Sequence, residues 1–452
     1  MKKEVEDKWV MILGCLLLFC VQFIVNMVTV ALPTISSDFN LSVKMVNAIN
    51  LIFLITSVSL MMPLGKYVIE YGIGKSLKYS IILMIVGLLL SAFSTDINTL
   101  LISRIIQGIA TAVINGSIYI LFTIELPPNM LGYDLGIMGS CGYIGLCLSN
   151  TISGIIVYYM SWRAVFLVLI PIYIITLFIL IKIDDEWYLN NINEIDHVGS
   201  IIYVLFMGMF LYGIEQLDSK NITILILSII LLIIFFKYEK NKKDPVCNLK
   251  LLKNFKYVLG NYTAFVMYFM TFITTYILNF YLQNALGYDA RLAGTFLLAT
   301  PLAVVFISAF AGKLSDERDE RAISSIALTL ILINVVILFF MDRVPVYFLL
   351  VACILQGIGH GLFSSPNNRF VLTSIDQKDL SDASPMLSTS KDVGKTMSLS
   401  LFSIICGLIL GTSNTIEKNI PSFIFASKIM LGIVICFGIS AIILLILNKI
   451  KD

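Results

Sequence analysis

The sequence predicts an all-α integral membrane protein of fourteen transmembrane helices, arranged as two six-helix bundles with two inserted helices between them. Three observations predict this class. Of the 452 residues, 58% are hydrophobic, and the mean hydropathy is +0.93. Only 13% are charged, against about 25% in a typical soluble domain, which excludes an ordinary soluble enzyme. Finally, the apolar residues form runs of membrane-spanning length, and short motifs of the first half recur in the second.

The first apolar run, residues 9–32, contains no charge and is followed by no small-residue cleavage site. It is therefore predicted to be a retained helix and not a signal peptide. A crossing needs about 20 mostly apolar residues, and this criterion, with two short runs admitted, gives the other spans. They are residues 46–68, 77–93, 97–124, 133–160, 164–181, 198–214, 222–236, 259–282, 292–311, 322–341, 344–372, 383–410 and 422–447.

Loop lysines and arginines determine the expected orientation. An even number of spans puts both termini on one side, and the loops of that side carry roughly 20 basic residues against about 6 on the other. Seven of these lysines fall within residues 237–256. The sequence therefore predicts a multi-pass protein of the cytoplasmic membrane with both termini in the cytoplasm. The apolar spans predict a lipid bilayer around the protein. The net charge of +2 gives no basic excess, so we expect no nucleic-acid partner.

An internal repeat relates the two halves. Gly-Lys at 65–66, after the second span, recurs at 312–313, after the tenth, and Gln-Gly-Ile at 107–109 recurs at 356–358. The two offsets, 247 and 249 residues, are nearly equal, although chance agreement in a compositionally narrow sequence is the alternative. Parallel repeats of this kind are typical of transporters with a substrate site between the halves. The predicted domains are an N-terminal bundle at 1–182, an insertion and cytoplasmic linker at 183–257, and a C-terminal bundle at 258–452.

Longer motifs carry a resemblance to a known family. They include VALP at 30–33, LISRIIQG at 101–108, SWR at 161–163 and DHVG at 196–199. Between residues 281 and 321, further residues fall at the family spacing: Gln283, Gly287, Ala293, Gly294, Pro301, Gly312, Asp316 and Arg321. With these motifs the chain resembles the major facilitator superfamily, and within it the fourteen-helix drug:proton antiporters.

The resemblance implies the major facilitator fold and a secondary active transporter, not an enzyme. Such a protein exports amphipathic, drug-like small molecules by alternating access in exchange for protons, works as a monomer and needs no cofactor. Three positions depart from the family pattern. The first-span acid is Ile24, the acid of the first cytoplasmic loop is Ile69, and the fifth-span antiport signature is replaced at residues 149–154. These departures favour a second hypothesis, the export of one metabolite, lipid or peptide with a different coupling.

Ionisable groups inside hydrocarbon cost at least a few kcal/mol each and are therefore functional candidates. Arg104, about seven residues into the fourth span, matches a family arginine that is implied to tune a carboxylate; a structural role is the alternative. In the thirteenth span, Lys391 precedes Asp392 and Lys395, which share a helical face. Asp392 is the first candidate for the coupling proton, and Asp134, at the start of the fifth span, is the second. Alternatively, both lysines reach the cytoplasmic surface and Asp392 only pairs with them.

Aromatic residues form a stripe along the ninth span: Tyr262, Phe265, Phe269, Phe272 and Tyr276. The resemblance implies that this helix lines the substrate cavity, and aromatic faces suit flat, lipophilic cations. For the stripe, the alternative is packing against other helices or lipid. For His360, in the twelfth span, the alternative is a hydrogen-bonded core residue. The predicted cavity residues are Asn26, Tyr268, Phe272, Tyr276, Asn279 and His360.

The loops that follow the second and tenth spans are predicted, by the same resemblance, to gate the transporter. Glycines there permit tight turns, and the charged residues offer contacts that form in one state and break in the other. The predicted gating residues are Gly65, Gly72, Gly312, Asp316 and Arg321.

A membrane transferase is a hypothesis of another class. Residues 316–319 and 376–379 both read Asp-x-x-Asp, and such pairs can hold Mg²⁺ and a pyrophosphate. Basic residues are interleaved with these acids, and the repeat would then have no purpose, so we predict no metal site. No GxxxxGK[ST] motif occurs, which argues against ATP coupling within this chain.

Overall fold

The computed structural model describes residues 2–41, 43–183, 187, 196–215, 222–240, 242, 245–288, 290–376, 379–410 and 420–451. Within these residues the chain is helical and contains no strand. The first half contains α1 (Lys2–Asp38), α2 (Val43–Tyr71), α3 (Ile73–Ala92), α4 (Ile97–Glu125), α5 (Leu131–Tyr159), α6 (Trp162–Leu167) and α7 (Ile170–Ile183). The inserted pair is α8 (His197–Glu215) and α9 (Ile222–Glu239). The second half contains α10 (Phe255–Phe280), α11 (Ala290–Leu297), α12 (Ala299–Glu317), α13 (Glu320–Phe339), α14 (Val346–Thr373), α15 (Leu380–Leu410) and α16 (Ile420–Lys451).

Fourteen segments of the described chain are long and apolar enough to cross a membrane, which confirms the predicted number of spans and the all-α class. The sixth span consists of α6 and α7, and the tenth of α11 and α12. Because the number of crossings is even, α1 begins and α16 ends at the same membrane surface. We call this surface the terminus-bearing face, and the other the opposite face.

Two spans are broken, each four residues before a proline. A proline lacks the amide hydrogen, and its ring collides with the carbonyl group four residues earlier. Helix α6 ends at Leu167, four residues before Pro171, and α11 ends at Leu297, four residues before Pro301. Four further prolines lie inside continuous helices, so a proline favours such a break but does not by itself determine it: Pro33, Pro63, Pro366 and Pro385.

Buried apolar side chains form a large cluster in each half and a small one around the insertion. The first is built on α1–α7 and the second on α10–α16. The small cluster joins Phe206 of α8 and Phe235 of α9 to Val58 and Met62 of α2. Helix α8 also contacts α15. The inserted helices therefore cover one edge of the junction between the halves, while the domain boundaries at 182 and 257 stay a prediction.

The predicted repeat has a structural counterpart in helix packing. A Cβ atom on Gly108 of α4 would lie 3.0 Å from the carbonyl oxygen of Phe53 in α2. A Cβ on Gly357 of α14 would likewise press on the carbonyl oxygen of Thr300 in α12. The two glycines are 249 positions apart and their two partners 247. The same close helix crossing therefore occurs in both halves, at the offset that the motifs predict.

Candidate functional site

A group of charged and aromatic side chains lies where α15 meets α10, α14 and the first half of the chain. Lys391 marks its depth, because it lies eleven residues beyond the start of α15, which is about 16 Å along the helix axis. We call this group the central cluster. It consists of Tyr119, Tyr143, Tyr268, His360, Asn368, Lys391, Asp392 and Lys395.

Lys391 is buried in the central cluster, with 7% of the residue exposed. Its Nζ donates a hydrogen bond to Oδ1 of Asn368 at 2.8 Å. The same nitrogen lies 5.1 Å from the ring centre of Tyr119 and 5.8 Å from that of Tyr268. Lys391 therefore does not extend to the membrane surface, contrary to one of the two interpretations of the sequence. Since Tyr119 belongs to α4, this lysine also joins the two halves.

Asp392 and Lys395 pair along one face of α15, as their spacing predicts. Nζ of Lys395 lies 2.9 Å from Oδ1 of Asp392 and 5.1 Å from the ring centre of Tyr268. Both side chains are partly exposed, Lys395 by 34% and Asp392 by 20%. Asp392 is thus paired with a cation while part of its side chain stays uncovered by the protein.

His360 lies beside the same tyrosines. Its Nε2 shares a hydrogen bond with the hydroxyl group of Tyr143 in α5, and the ring of Tyr268 lies edge-on at 5.0 Å. The residue is 6% exposed, so it is a buried, hydrogen-bonded histidine. It forms, like Lys391, a link between the first and second halves.

The aromatic stripe of α10 divides into two groups. Tyr262, Phe265 and Phe269 pack against α16, through a 2.6 Å hydrogen bond to Ser440 and ring contacts with Phe437. These three residues serve helix packing, which is the alternative interpretation for this part of the stripe.

The other stripe residues follow Tyr268 toward the opposite face. Phe272 lies one turn further on and is 41% exposed. Tyr276 meets Phe402 of α15 edge-on with ring centres 6.1 Å apart, and Asn279 accepts a hydrogen bond from Gln283 at 2.8 Å. Among the predicted cavity residues of α10, Phe272 therefore offers the most free ring surface.

Arg104 lies in the first half and is fully buried. Its Nε donates to the carbonyl oxygen of Ile49 at 3.2 Å, and its Nη1 donates to Oε1 of Gln107 at 2.7 Å. Its guanidinium also lies over the ring of Phe53, at 4.2 Å. These contacts bind α4 to α2, and Gln107 extends them to Gly87 of α3. In the described part of the chain, no carboxylate forms an ion pair with Arg104, so its contacts fit a structural role.

Three other first-half positions have surroundings within the first half. Asp134, in the first turn of α5, is buried and lies within electrostatic range of Cys15 in α1. Asn26 donates its side-chain amide to the carbonyl oxygen of Gln22 at 3.0 Å. Ile24, which stands where the family has an acid, is fully buried in the apolar core. A carboxylate at position 24 would be buried away from solvent among apolar side chains.

At the terminus-bearing face, the halves meet through Asp316. The amide groups of Gly132 and Tyr133, at the start of α5, donate to its two carboxylate oxygens at 2.8 Å and 2.9 Å. A carboxylate at a helix N-terminus also gains from the helix dipole. Gly312 allows this approach, because a Cβ there would overlap the carbonyl group of Gly132. Arg369 of α14 holds Asp316 from the other side, with Nε at 3.1 Å.

A second contact between the halves joins Lys66 of α2 to Asp382 of α15 as an ion pair. Both residues are mostly buried, with 15% and 4% of their side chains exposed. Asp382 lies 248 positions after Asp134 of α5, so the repeat relates the start of α15 to the start of α5. The Lys66–Asp382 contact and the contact of Asp316 with α5 are therefore related by the repeat. At the end of α2 the charged group is Lys66, whereas at the end of α12 it is Asp316.

Other predicted gating residues have local roles. Gly72 adopts a φ of 95° between α2 and α3, a conformation that favours glycine. Arg321 pairs with Asp319 and donates to Oδ1 of Asn448 in α16 at 3.1 Å. It therefore joins α13 to α16 within the second half. Gly65 lies next to Gly116 of α4.

The contacts across the junction that the sequence does not predict belong to residues with no motif of their own. They are Tyr119, Tyr143, Asn368, Arg369 and Asp382. The repeat contained a usable signal, because Tyr119 and Asn368 are 249 positions apart and Tyr143 and Lys391 are 248 apart. A search for polar residues at corresponding positions of the two halves would have found these two pairs.

Three acids of the Asp-x-x-Asp loop motifs contact other groups of the protein. Asp316 binds the α5 amides, Asp319 pairs with Arg321, and Asp379 accepts a hydrogen bond from Asn248. Among the described residues, no group of three or more His, Cys, Asp or Glu side chains could hold a metal ion. The acids of these motifs therefore serve contacts within the protein.

Comparisons with known proteins agree with this architecture. The family model described as Major Facilitator Superfamily matches residues 14–398. The riboflavin transporter RibZ of Clostridioides difficile (strain 630) is 24% identical over 426 residues, which cover 94% of this chain and 93% of that protein. The multidrug efflux pump SdrM of Staphylococcus aureus (strain N315) is 23% identical over 430 residues, covering 91% and 92%.

A solved structure has the same fold. The crystal structure of the human organic anion transporter MFSD10 superposes with a TM-score of 0.70 and covers 97% of this chain and 99% of that one. Sequence identity between the two is only 12%, so this likeness concerns the fold. The family match and the names of the relatives identify a non-enzymatic membrane transporter.

Proposed function

This chain belongs to the major facilitator superfamily, and on that premise we propose that it exports amphipathic, drug-like small molecules across the cytoplasmic membrane in exchange for protons. We assign the terminus-bearing face to the cytoplasm, because the basic loop residues are concentrated there. The protein acts as a monomer. Its substrate binds at the central cluster and beside Phe272, and reaches that site from one side of the membrane at a time.

One observation carries this proposal. A buried cluster of charged and aromatic groups lies between two halves that are fastened at the terminus-bearing face by Asp316 and by Lys66 with Asp382. Because each fastening consists of a few polar contacts, it can break and form again as the halves rock. The multidrug efflux pump SdrM, 23% identical across most of both chains, supports export as the direction.

Asp392 is the proposed proton site. It is the only carboxylate of the central cluster, and its pairing with Lys395 at 2.9 Å lets its proton affinity respond to the position of one cation. A cationic substrate beside Asp392 favours the ionised carboxylate and expels its proton, whereas protonation of Asp392 disfavours the bound cation and lets Lys395 turn to the ring of Tyr268. Proton and substrate thereby exclude each other at one carboxylate, as exchange requires.

Transport by inverted membrane vesicles tests this proposal. A proton gradient should drive uptake of ethidium or another lipophilic dye, and a protonophore should abolish it. The Asp392→Asn variant should bind the dye but lose the gradient-driven uptake, whereas Asp134→Asn, the matched control at the second candidate, should retain it. Retained coupling in Asp392→Asn would refute the proton-site assignment, and unchanged accumulation across a broad panel of compounds would refute drug export.

A second candidate function is the export of one metabolite with a different coupling. The burial of Ile24 in the apolar core favours it, since the first span offers no proton site, and RibZ is a riboflavin transporter. Riboflavin uptake into the same vesicles, without proton release when riboflavin is added to the purified protein, would select this candidate over drug:proton antiport.

A further inference from the structure

The inserted helices carry two buried carboxyl groups that the transport scheme does not use. Asp196 immediately precedes α8, and Glu239 ends α9 and is 2% exposed. A Cβ atom on Gly199 would lie 2.5 Å from Oε1 of Glu239 and 2.8 Å from Oδ2 of Asp196. The two oxygens therefore converge on the space that this glycine leaves open. Within the described residues, neither oxygen has a hydrogen-bond partner.

The remaining contacts of the two groups do not compensate two negative charges. Oδ1 of Asp196 accepts hydrogen bonds from the amide of Gly199 at 3.0 Å and the hydroxyl of Tyr238 at 3.1 Å. Oε2 of Glu239 accepts a long one, 3.4 Å, from the amide of Cys247. The nearest cation with a measured distance is Lys242, whose Nζ lies 3.9 Å from Oδ2 of Asp196. Lys242 is half-exposed, and its 3.9 Å separation from Asp196 is too long for a hydrogen bond.

Two neighbouring buried carboxyl groups ionise one after the other, because each disfavours the charge of the other, and the second proton is retained to a higher pH. We propose that Asp196 and Glu239 form a proton-binding pair, and that its occupancy controls the ion pair between Lys66 and Asp382. This pair lies outside the central cluster and is a different site from Asp392. Its assignment does not depend on which molecule the protein exports.

The apolar cluster around α8 connects the carboxyl pair to the gate, because α8 packs against both α9 and α2. Helices α9 and α2 both run toward the terminus-bearing face, and Phe235 of α9 and Met62 of α2 belong to this cluster. Glu239 and Lys66 each follow four residues later, one turn further along the same helix faces. Lys66 accordingly lies within electrostatic range of Glu239. The titratable groups that face the carboxyl pair from the surrounding elements are Lys66, Asp382, Lys242, Tyr238, Cys247 and, through Tyr67, His197.

The sign of the effect follows from the charges. When the pair holds its proton, Glu239 is neutral, and Lys66 remains with Asp382, so the terminus-bearing face stays closed. When the proton leaves to water, ionised Glu239 attracts Lys66 and weakens its bond to Asp382. A rise in pH on the terminus-bearing side therefore favours opening of that face, and a fall in pH favours closure.

Infrared spectroscopy of the purified full-length protein tests the proton site directly. Between about pH 5 and pH 9, a carboxyl C=O band that exchanges slowly with D₂O should titrate with one proton per molecule. Glu239→Gln and Asp196→Asn should each abolish it, and both are expected to fold, since glutamine has the shape of glutamic acid and asparagine also caps helices. Glu70→Gln, which removes an exposed carboxyl group, should leave the band unchanged.

Two results would overturn the assignment. One is a buried carboxyl band that persists in Glu239→Gln or that does not titrate in this range. The other is a band that Na⁺ removes and choline restores at constant pH, which would make the pair a metal-cation site. Neither measurement uses a substrate, so failure of the drug-export proposal would leave this result intact, and the reverse also holds.

Hydrogen exchange tests the link to the gate. The amides of Gly132 and Tyr133, which Asp316 binds in the closed state, should lose protection several-fold as pH rises, after correction with an unfolded peptide of the same sequence. Glu239→Gln mimics the protonated pair and should stay protected at every pH, while Glu70→Gln should behave as the unchanged protein. Equal pH dependence in Glu239→Gln and the unchanged protein would refute control of the gate.

Discussion

Lys66 of the first half and Asp382 of the second form an ion pair at the terminus-bearing face, and this pair corresponds by the repeat to the contact of Asp316 with α5. In the second half an acid at the loop end meets backbone amides. In the first half the corresponding position is Ile69, which is 3% exposed and part of the core. The first loop therefore lacks the acid but carries a lysine, Lys66, and the acid of this contact, Asp382, comes from the other half.

Exchange of the two charges of this pair provides the first prediction. Lys66→Asp and Asp382→Lys should each weaken closure of the terminus-bearing face, because breaking a buried ion pair costs about 3 kcal/mol. The double variant Lys66→Asp/Asp382→Lys should restore most of the transport rate in vesicles.

Lys313→Gln is the matched control for this exchange, since Lys313 is the repeat-related lysine and is exposed. It should transport as the unchanged protein does. If the double variant were no better than either single variant, the pair would contribute nothing to closure.

A side chain at position 312 should keep the halves apart. In Gly312→Ala the new methyl group overlaps the carbonyl group of Gly132, so we expect the closed state to lose about 1–3 kcal/mol, as overpacked sites do. Hydrogen exchange of the first turn of α5 should increase and transport should fall. Gly294→Ala, where no atom lies within 4 Å of the new methyl group, should change neither quantity. Normal protection of α5 in Gly312→Ala would contradict the close-approach argument.

The sequence predicts the fold almost completely, because each span depends on local properties. Apolar runs predict where the fourteen helices lie, and the two interrupted spans break four residues before prolines at 171 and 301. The repeat offsets of 247 and 249 predict the matching helix crossings at Gly108 and Gly357. Motif spacing, hydropathy and proline chemistry all act within one helix or one turn, so a single sequence contains them.

The site is predicted less well, because its contacts join distant parts of the chain. The spacing of Asp392 and Lys395 predicts their pairing, which lies within one turn. The sequence contains no sign that Lys391 bonds Asn368 or faces Tyr119, since both contacts depend on how α15 is rotated against α14 and α4. The same reason separates Tyr268 from Phe265 and Phe269, which belong to one stripe but contact different helices.

Arg104 should prove to be a structural residue. Arg104→Met removes the donor for the carbonyl group of Ile49 and for Oε1 of Gln107, and each buried acceptor left without a partner costs about 1–3 kcal/mol. The Ile49 carbonyl keeps its intrahelical bond within α2, so Oε1 of Gln107 is the acceptor that bears this cost. We expect a lower thermal stability in detergent and a lower yield of folded protein. Any transport that remains should show an unchanged pH profile. A stable variant with a shifted pH profile would instead assign Arg104 to proton coupling.

Lys391→Met should keep its stability and lose transport, in contrast to Arg104→Met. Lys391 is buried and donates a hydrogen bond to Oδ1 of Asn368. The variant leaves this acceptor unpaired, at a cost of about 1–3 kcal/mol, but it also removes the desolvation penalty of a buried ammonium group, which is several kcal/mol. Thermal stability should therefore be unchanged or higher. Transport should be abolished, because the variant lacks the ammonium group that faces Tyr119 across the junction and Tyr268. Lys391→Arg retains the charge and should keep part of the activity. A variant Lys391→Met that loses stability and activity together would make this lysine a structural residue like Arg104.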